Sequence, residues 1–349
     1  MSMQQKWALV TGASGFLGAR LVGQLAARGD HVKAFVRPSS SLARLEGSAW
    51  DRVRLVYGDV TVASSLYAAL AGCDRVYHLA ANFSFTERDA TRVLRPALEG
   101  TRHVLDMAKA RGVERLVVTG SAMTLGASQG PEPLTENESV SQSDPDPYLA
   151  AKFGAQQLVR ESARSGLPVV LVLPTAIVGP GDARPTPTGA GVVEYVSRKA
   201  RVPIPDGGLN LVDVDDVAQG HILAMERARV GETYILGGEN VTFQEMFAML
   251  SDLAALPPPS LRVPGWLLRL GVAMLEQVAQ RTGGRLAVTR RMARDFVGRF
   301  AWVSSAKAER ELGYTYRPAR AALERSLRWY LEHGYFEPKL GDRMRMHLR

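Results

Sequence analysis

The chain of 349 residues has one cysteine, Cys73, which excludes an intramolecular disulfide framework. Cys73 falls where a predicted helix turns into a strand, with no motif around it, and reads as a buried, inert thiol. No stretch reaches the ~18 uninterrupted apolar residues that a membrane-spanning helix needs. The most apolar region, Gly265 to Val278, is broken by Arg269 and Glu276, which leaves open a position against a membrane surface or over an apolar ligand. The opening residues, MSMQQKWALVTG, carry no n-region, no long apolar h-region and no small-residue cleavage site, so a cytoplasmic protein is expected. Helix-turn-helix and zinc-ligand patterns, internal repeats and low-complexity tracts are missing as well.

What is present is ordinary in composition: 46% hydrophobic and 22% charged residues argue against a disordered or fibrous protein. The length suits one large domain or two of common size. Charge is the odd feature, with 43 Lys+Arg against 35 Asp+Glu. A basic excess invites a nucleic acid or an anionic surface as partner. Its distribution weakens the nucleic-acid reading, because residues 281–349 hold 16 basic and 7 acidic residues while residues 1–280 hold 27 and 28. No nucleic-acid partner is therefore expected.

Short β-branched runs alternate with amphipathic runs of helix length through the first half, the pattern of a parallel sheet covered on both faces. Strands are expected at Lys6–Val10, His31–Val36, Arg54–Tyr57, Arg75–Leu79, Arg115–Thr119 and Val169–Leu173. Helices are expected at Phe16–Arg28, Leu66–Ala71, Leu98–Arg111 and Tyr148–Ser165. The fold class is α/β: a doubly wound Rossmann sheet with a smaller, mostly helical C-terminal substrate region. Residues 1–174 form the nucleotide-binding part, which 209–238 rejoins through a strand at Thr233–Leu236. Residues 175–208 and 239–335 form the substrate region, with helices over Val263 to Phe300, and 336–349 a basic tail.

The first strand runs into Thr11-Gly12-Ala13-Ser14-Gly15-Phe16-Leu17-Gly18 and then a helix. In that context Gly12 permits the tight turn, Gly15 lets backbone N–H groups approach a pyrophosphate, and Gly18 lets helix and strand pack closely. The bland alternative is a glycine-rich turn without a ligand. The spacing TGxxGxxG resembles that of the extended and atypical short-chain dehydrogenase/reductases, the superfamily of NAD-dependent epimerases and dehydratases. The resemblance covers nearly the whole chain, to about Tyr335, and implies cofactor contacts at Gly12, Ser14, Gly15, Phe16 and Leu17. After the second strand, where an acidic residue would bind the ribose of NAD, stands Arg37, which can pair with a 2′-phosphate. NADP(H) is preferred on that ground, with NAD(H) left open, and a solvated surface arginine is the alternative. Asp59 and Val60 after the third strand resemble the family's adenine-contacting turn; Leu79, Ala80 and Ala81 after the fourth resemble its stretch beside the cofactor.

Tyr148 and Lys152 stand one helical turn apart, which places both on one helix face. A phenol is a poor acid or base near neutrality, and a neighbouring ammonium lowers its pKa. The family resemblance makes Tyr148 and Lys152 the catalytic pair and cofactor contacts, and Ser121 the serine that hydrogen-bonds the reacting oxygen. Pro174 and Ile177, in Pro174-Thr175-Ala176-Ile177-Val178-Gly179-Pro180, resemble the segment that meets the nicotinamide amide. The carboxylates of Asp213, Asp215 and Asp216 read as helix caps and fold anchors.

Three departures narrow the branch. Ala122-Met123 replaces the Asp-Glu pair of sugar dehydratases, and Leu173, Pro174 and Ala176 stand in the run where nucleotide-sugar epimerases carry RxxNxxGP. What remains resembles the dihydroflavonol-4-reductase-like branch, including the bacterial hopanoid-associated sugar epimerases. The family's NVxGT run reads Ala97-Leu98-Glu99-Gly100-Thr101 here, so any proton relay through that Asn must run otherwise or be absent. Asn82, Phe83, Ser84, Phe85, Met123 and Thr186 are the candidate substrate contacts, a set that suits a planar or lipid-like ketone. Phe83 and Phe85 fit equally well as core residues under a loop.

The expectation is thus an NADPH-dependent carbonyl reductase of secondary metabolism, with Tyr148 as general acid. The alternatives are an epimerase that oxidises its substrate transiently, and a catalytically silent cofactor-binding regulator. A homodimer and a peripheral membrane contact, suggested by the basic C-terminal stretch, are left open.

Overall fold

In the computed structural model the described residues are 7–45, 50–80, 90–138, 147–200, 203–258, 263–282, 293–294 and 297–348; the side chains of 90–96, 147–148 and 279–282 lie outside that description. Strand β1 (Trp7–Thr11) runs parallel between β2 (His31–Val36) and β4 (Cys73–His78). Outside β2 lies β3 (Val53–Tyr57), and beyond β4 follow β5 (Arg115–Thr119), β6 (Val169–Pro174) and β9 (Thr233–Leu236). All seven strands are parallel. Their order reverses direction between β1 and β4, the switch point beyond whose carboxyl ends a ligand crevice forms.

Successive residues of a strand face opposite sides, and the two cores follow from that alternation. Ala8 and Val10 bury with Leu21 and Leu25 of α1 (Phe16–Ala27) and Val217 and Ile222 of α6 (Val214–Arg227). Leu9 buries on the other face, in the cluster that holds Val104 and Leu105 of α3 (Ala90–Ala110) and Val159 of α4 (Pro147–Arg164). Each such side chain contributes about 1.5–3 kcal/mol when fully buried. Cys73 opens β4 as a buried thiol, and burial pushes its pKa up, consistent with an inert role. The short α2 (Ala63–Ala69) links β3 to β4.

Helix α3 begins at Ala90 rather than Leu98 and runs through Pro96. Proline removes one helical donor and costs about 3 kcal/mol in a helix interior. Burial of Val104, Leu105 and Ala108 offsets that cost.

The second part contains a small sheet that the sequence did not announce. Strand β8 (Gly207–Asp213) pairs with β7 (Ala176–Val178), with β10 (Glu239–Thr242) and with β11 (Arg299–Ala301). Three of these strands have three or four residues, too few for a period-two pattern to register. Arg299 and Phe300, expected within a helical stretch, belong instead to a strand, because residues 299–301 pair with Gly207 to Leu209. Helices α5 (Pro187–Ser197), α7 (Phe243–Leu253), Ala319–Glu332 and Pro338–His347 join a third core holding Tyr195, Leu250, Leu323, Leu327, Leu340 and Met344. Residues 338–347, read from the sequence as a basic tail, are therefore a packed helix whose Leu340 and Met344 are buried.

Carboxylates at the start of α6 tie the two parts together. Asp213 caps the helix by accepting from Asp215 N, and Asp215 accepts both Arg20 nitrogens at 2.6 and 2.7 Å and also pairs with Arg325. Asp216 pairs with Arg317 at 2.8 Å. Burial alone would raise the Asp215 pKa, but Arg20 and the other guanidiniums hold it below the usual value. Arg317 and Arg325 of the C-terminal stretch are thus engaged internally. Among the described residues no helix is long and apolar enough to cross a membrane.

Candidate active site

The glycine loop joins β1 to α1 at the switch point. Gly12 has φ +70°, and a Cβ there would lie 2.8 Å from Ala80 N, so the loop presses directly on the end of β4. A Cβ on Gly18 would lie 2.1 Å from Gly12 O. Gly15 caps α1 with no side-chain hydrogen bond, so no side chain of this residue claims the first helical amides. Such a bare helix start suits an anion, and the residues present fit a dinucleotide pyrophosphate. Arg44, which sequence reasoning missed, brings a cation to the same place: its Nη1 donates to Ser14 O at 3.4 Å and its Nε to Gly181 O at 2.9 Å. It sits in an isolated 3-10 turn, where no periodic signal marks it.

Phe16 opens α1 within reach of the Gly181 turn, and Leu17, Leu79 and Ile177 each pack at the rim of the first core. Arg37 is exposed just past β2. Asp59 accepts from Thr61 N at 2.8 Å and from Thr61 Oγ1 at 2.7 Å. Burial would raise its pKa, but these bonds and the Arg37 charge outweigh it and hold the carboxyl below its ordinary value. Val60 lies under α3, against Gly100, and Ala80 N donates to Thr11 Oγ1 at 3.3 Å. Pro174 ends β6 opposite Leu236. Ala81, Asn82, Phe83, Ser84 and Phe85 lie outside the described residues.

Ser121 and Lys152 converge beyond β5. Ser121 is buried at the start of a 3-10 turn, and its Oγ accepts from Met123 N at 3.3 Å. Lys152 Nζ donates to Thr119 O at 3.5 Å and Gly120 O at 3.4 Å. Burial pushes its pKa down to about 8. Tyr148 stands in the first turn of α4, one turn before Lys152; its side chain is outside the described residues. Met123 packs beside Ala97, Leu149 and Ala151. Gln156, a further turn along α4, donates to Ser121 O at 3.4 Å and Thr124 Oγ1 at 2.9 Å, fixing the serine loop. Its i+4 spacing from Lys152 was the available signal.

His78 links these pieces. Its Nδ1 is 2.8 Å from Thr11 Oγ1 and its Nε2 is 3.2 Å from Thr101 Oγ1. Burial, with a smaller push from the Lys152 charge, lowers its pKa to about 3, so the imidazole is neutral. Beside it a cavity of about 20 Å³ is lined by His78, Ala97, Thr101, Thr119, Gly120 and Lys152, among others. That is room for one water with several polar neighbours. The small side chain of Ala97 lines the space.

Thr186 is placed differently. It caps α5, accepting from Gly189 N at 3.2 Å, and its Oγ1 donates to Asp182 Oδ2 at 2.9 Å. Tyr330 donates to the same carboxylate oxygen at 2.9 Å. Burial raises the Asp182 pKa despite these bonds. The Thr186 hydroxyl is thus engaged in holding the third core.

The profile of the NAD dependent epimerase/dehydratase family matches residues 8–237. The putative dihydroflavonol 4-reductase of Synechocystis sp. is 34% identical over 331 residues, spanning 93% of this chain and 95% of its own. Sterol demethylase protein B of Methylococcus capsulatus is 34% identical over 334 residues, spanning 93% of this chain and 98% of its own. The crystal structure of gox2253 matches with a TM-score of 0.84 at 34% identity, over 95% of this chain and all of that one (100%). With its glycine loop at the switch point and its serine and lysine beyond β5, the chain belongs to the NAD dependent epimerase/dehydratase family, enzymes of NAD(P)-dependent oxidoreductase type.

Proposed function

We propose that this protein is a cytoplasmic NADPH-dependent carbonyl reductase acting on an apolar or planar ketone. The observation that carries the reading is the convergence of Ser121 and Lys152 at the end of β5, with Tyr148 one helical turn before the lysine. The Ser121 Oγ already accepts a bond from Met123 N, which leaves its proton for a substrate oxygen. Tyr148 then gives its phenolic proton to that oxygen as negative charge develops there. Lys152, held against the Thr119 and Gly120 carbonyls, remains largely an ammonium near neutrality and favours the phenolate left behind. When bound, the nicotinamide cofactor supplies the hydride.

Arg37 supports NADP(H) over NAD(H), because a guanidinium past β2 pairs with a 2′-phosphate and no acidic residue stands there to repel it. An apolar or planar substrate is supported by Met123 beside the serine loop and by the names of the two curated relatives, a dihydroflavonol reductase and a sterol-demethylation protein. Anaerobic mixing of the enzyme, NADPH and a panel of apolar ketones tests the reading through loss of the reduced-nicotinamide absorbance. No oxidation with any ketone, together with release of tightly held NAD on denaturation, selects the epimerase alternative instead.

A further inference from the structure

The chain leaves the large sheet for the small one at two places. Thr175 alone joins β6 to β7, and Gly237-Gly238 join β9 to β10. Both crossings meet at one side chain, Asn210 of β8, which is 1% exposed. Its Oδ1 accepts from Thr175 Oγ1 at 2.8 Å and from Gly238 N at 2.7 Å. Its Nδ2 donates to Gly238 O at 3.0 Å and to Asn240 Oδ1 at 2.8 Å. Two acceptor sites and two N–H groups are all that a primary amide has, so Asn210 is saturated. Gly238 presents both an N–H and a carbonyl, which dictates the way round that the amide sits. Asn240 extends the network by accepting from Val303 N at 3.1 Å and donating to Val303 O at 3.0 Å. A buried polar network whose central member is satisfied rigidifies the backbone it joins.

The first crossing stands beside the serine. Thr119 of β5 is in register with Val172 of β6, and Gly120 N donates to Val172 O at 2.8 Å. Ser121 and Pro174, each two residues farther on, therefore leave neighbouring strands at one level, about 5 Å apart across the sheet. Thr175 follows at once, at the carboxyl ends of the strands, where a parallel sheet receives its ligand. Hydride transfer requires the donor ring to meet the carbonyl that Ser121 orients, so the nicotinamide end of the cofactor is received over the ends of β5 and β6.

We propose that Asn210 is a positioning residue of this site: it ties Thr175 to Gly238 and thereby fixes the wall beside Ser121 that receives the nicotinamide end of the cofactor. This role rests on the reductase reading, which makes Ser121 the carbonyl anchor. Asn210 acts through Thr175 rather than on the reacting atoms.

Titration of the full chain with NADPH, followed by its fluorescence, and calorimetric titration with 2′-phospho-ADP-ribose, which lacks the nicotinamide, test this. The same pair of measurements with NADH and ADP-ribose serves either cofactor preference. Thr175→Val keeps the side-chain shape and removes only the hydroxyl that Asn210 accepts. It should weaken NADPH about tenfold while leaving the fragment within about twofold of wild type, and Thr175→Ser should restore the NADPH value. Asn210→Ala should lower the NADPH-to-fragment affinity ratio similarly, and the double variant should go no lower than either single one. That ratio is insensitive to partial unfolding, because both ligands bind the folded protein; should Asn210→Ala not fold at all, the two Thr175 variants decide. Unchanged NADPH affinity in Thr175→Val overturns the proposal, and so does equal weakening of both ligands, which marks a purely structural network. Additive effects in the double variant overturn it too, since Thr175 then acts on the cofactor by itself. Both ligands bind whether or not any ketone is reduced, so an inert ketone panel counts against the reductase reading and leaves this test standing.

Discussion

The Lys152 ammonium nitrogen lies 3.4 Å from the carbonyl oxygen of Gly120, the residue that precedes the buried Ser121. Helix α4 and the end of β5 are thereby locked in register, so the proposed acid and the proposed carbonyl anchor are set by the same contact. Gln156 repeats the device one turn later, at the Ser121 carbonyl.

Tyr148→Phe and Ser121→Ala should each lower kcat by about 10²–10⁴-fold while leaving NADPH affinity within a few-fold of wild type. Stopped-flow single turnovers and cofactor titration separate the two effects. Unchanged turnover in Tyr148→Phe would sink the assignment of the general acid.

Lys152 sets an alkaline limit. Its folded pKa, about 8, is below the ordinary 10.5, so the ammonium is lost as pH rises through about 8 and kcat/KM should fall with it. Stability runs the other way. Between about pH 8 and 10.5 the unfolded chain binds more protons at this group, so stability rises with pH as the cost of the buried charge is relieved. In cofactor-free protein Lys152→Met should therefore be the more stable form at neutral pH, by at most about 3 kcal/mol, with the gap closing above pH 10. Urea unfolding across that range measures it.

Two buried histidines predict acid sensitivity. Burial lowers His78 to about 3, and it lowers His221 to about 4 against the bond to Val217 O, which works the other way. Both are neutral when folded and become protonated when unfolded as pH falls below about 6.5, so stability decreases on acidification. Each contributes a slope of about 1.4 kcal/mol per pH unit within its window. Replacing His78 by Asn should flatten the profile between pH 6 and 4; an unaltered slope in guanidinium unfolding would contradict this.

Arg37→Ala should reduce the preference for NADPH over NADH by roughly tenfold or more in kcat/KM, mainly through the NADPH value. An equal effect on both cofactors would show that the guanidinium does not meet a 2′-phosphate.

Gly18→Ala places a methyl group where 2.1 Å separates it from Gly12 O. Helix α1 must then move off the loop, at a cost of about 1–3 kcal/mol. Lower melting temperature and weaker cofactor binding should appear together.

The residue pattern alone determined the Rossmann sheet. Strands β2, β5 and β9 have the bounds expected for them, since strands covered on both faces read as predominantly apolar runs. The glycine loop and the Tyr148–Lys152 spacing were equally legible, because each is a local requirement of backbone or helix geometry. Only the tertiary structure decided the rest. The small sheet arises from pairings of β8 with segments far along the chain, and its short strands carry no period of their own. Pairing of His78 with Thr101, and of Arg44 with Ser14 and Gly181, joins residues whose meeting depends on how helices and strands stack. The C-terminal basic stretch follows the same rule: Arg317 and Arg325 are drawn to the carboxylates at the start of α6. Composition counts charges, but burial and distance decide which of them are neutralised within the molecule and which meet a partner.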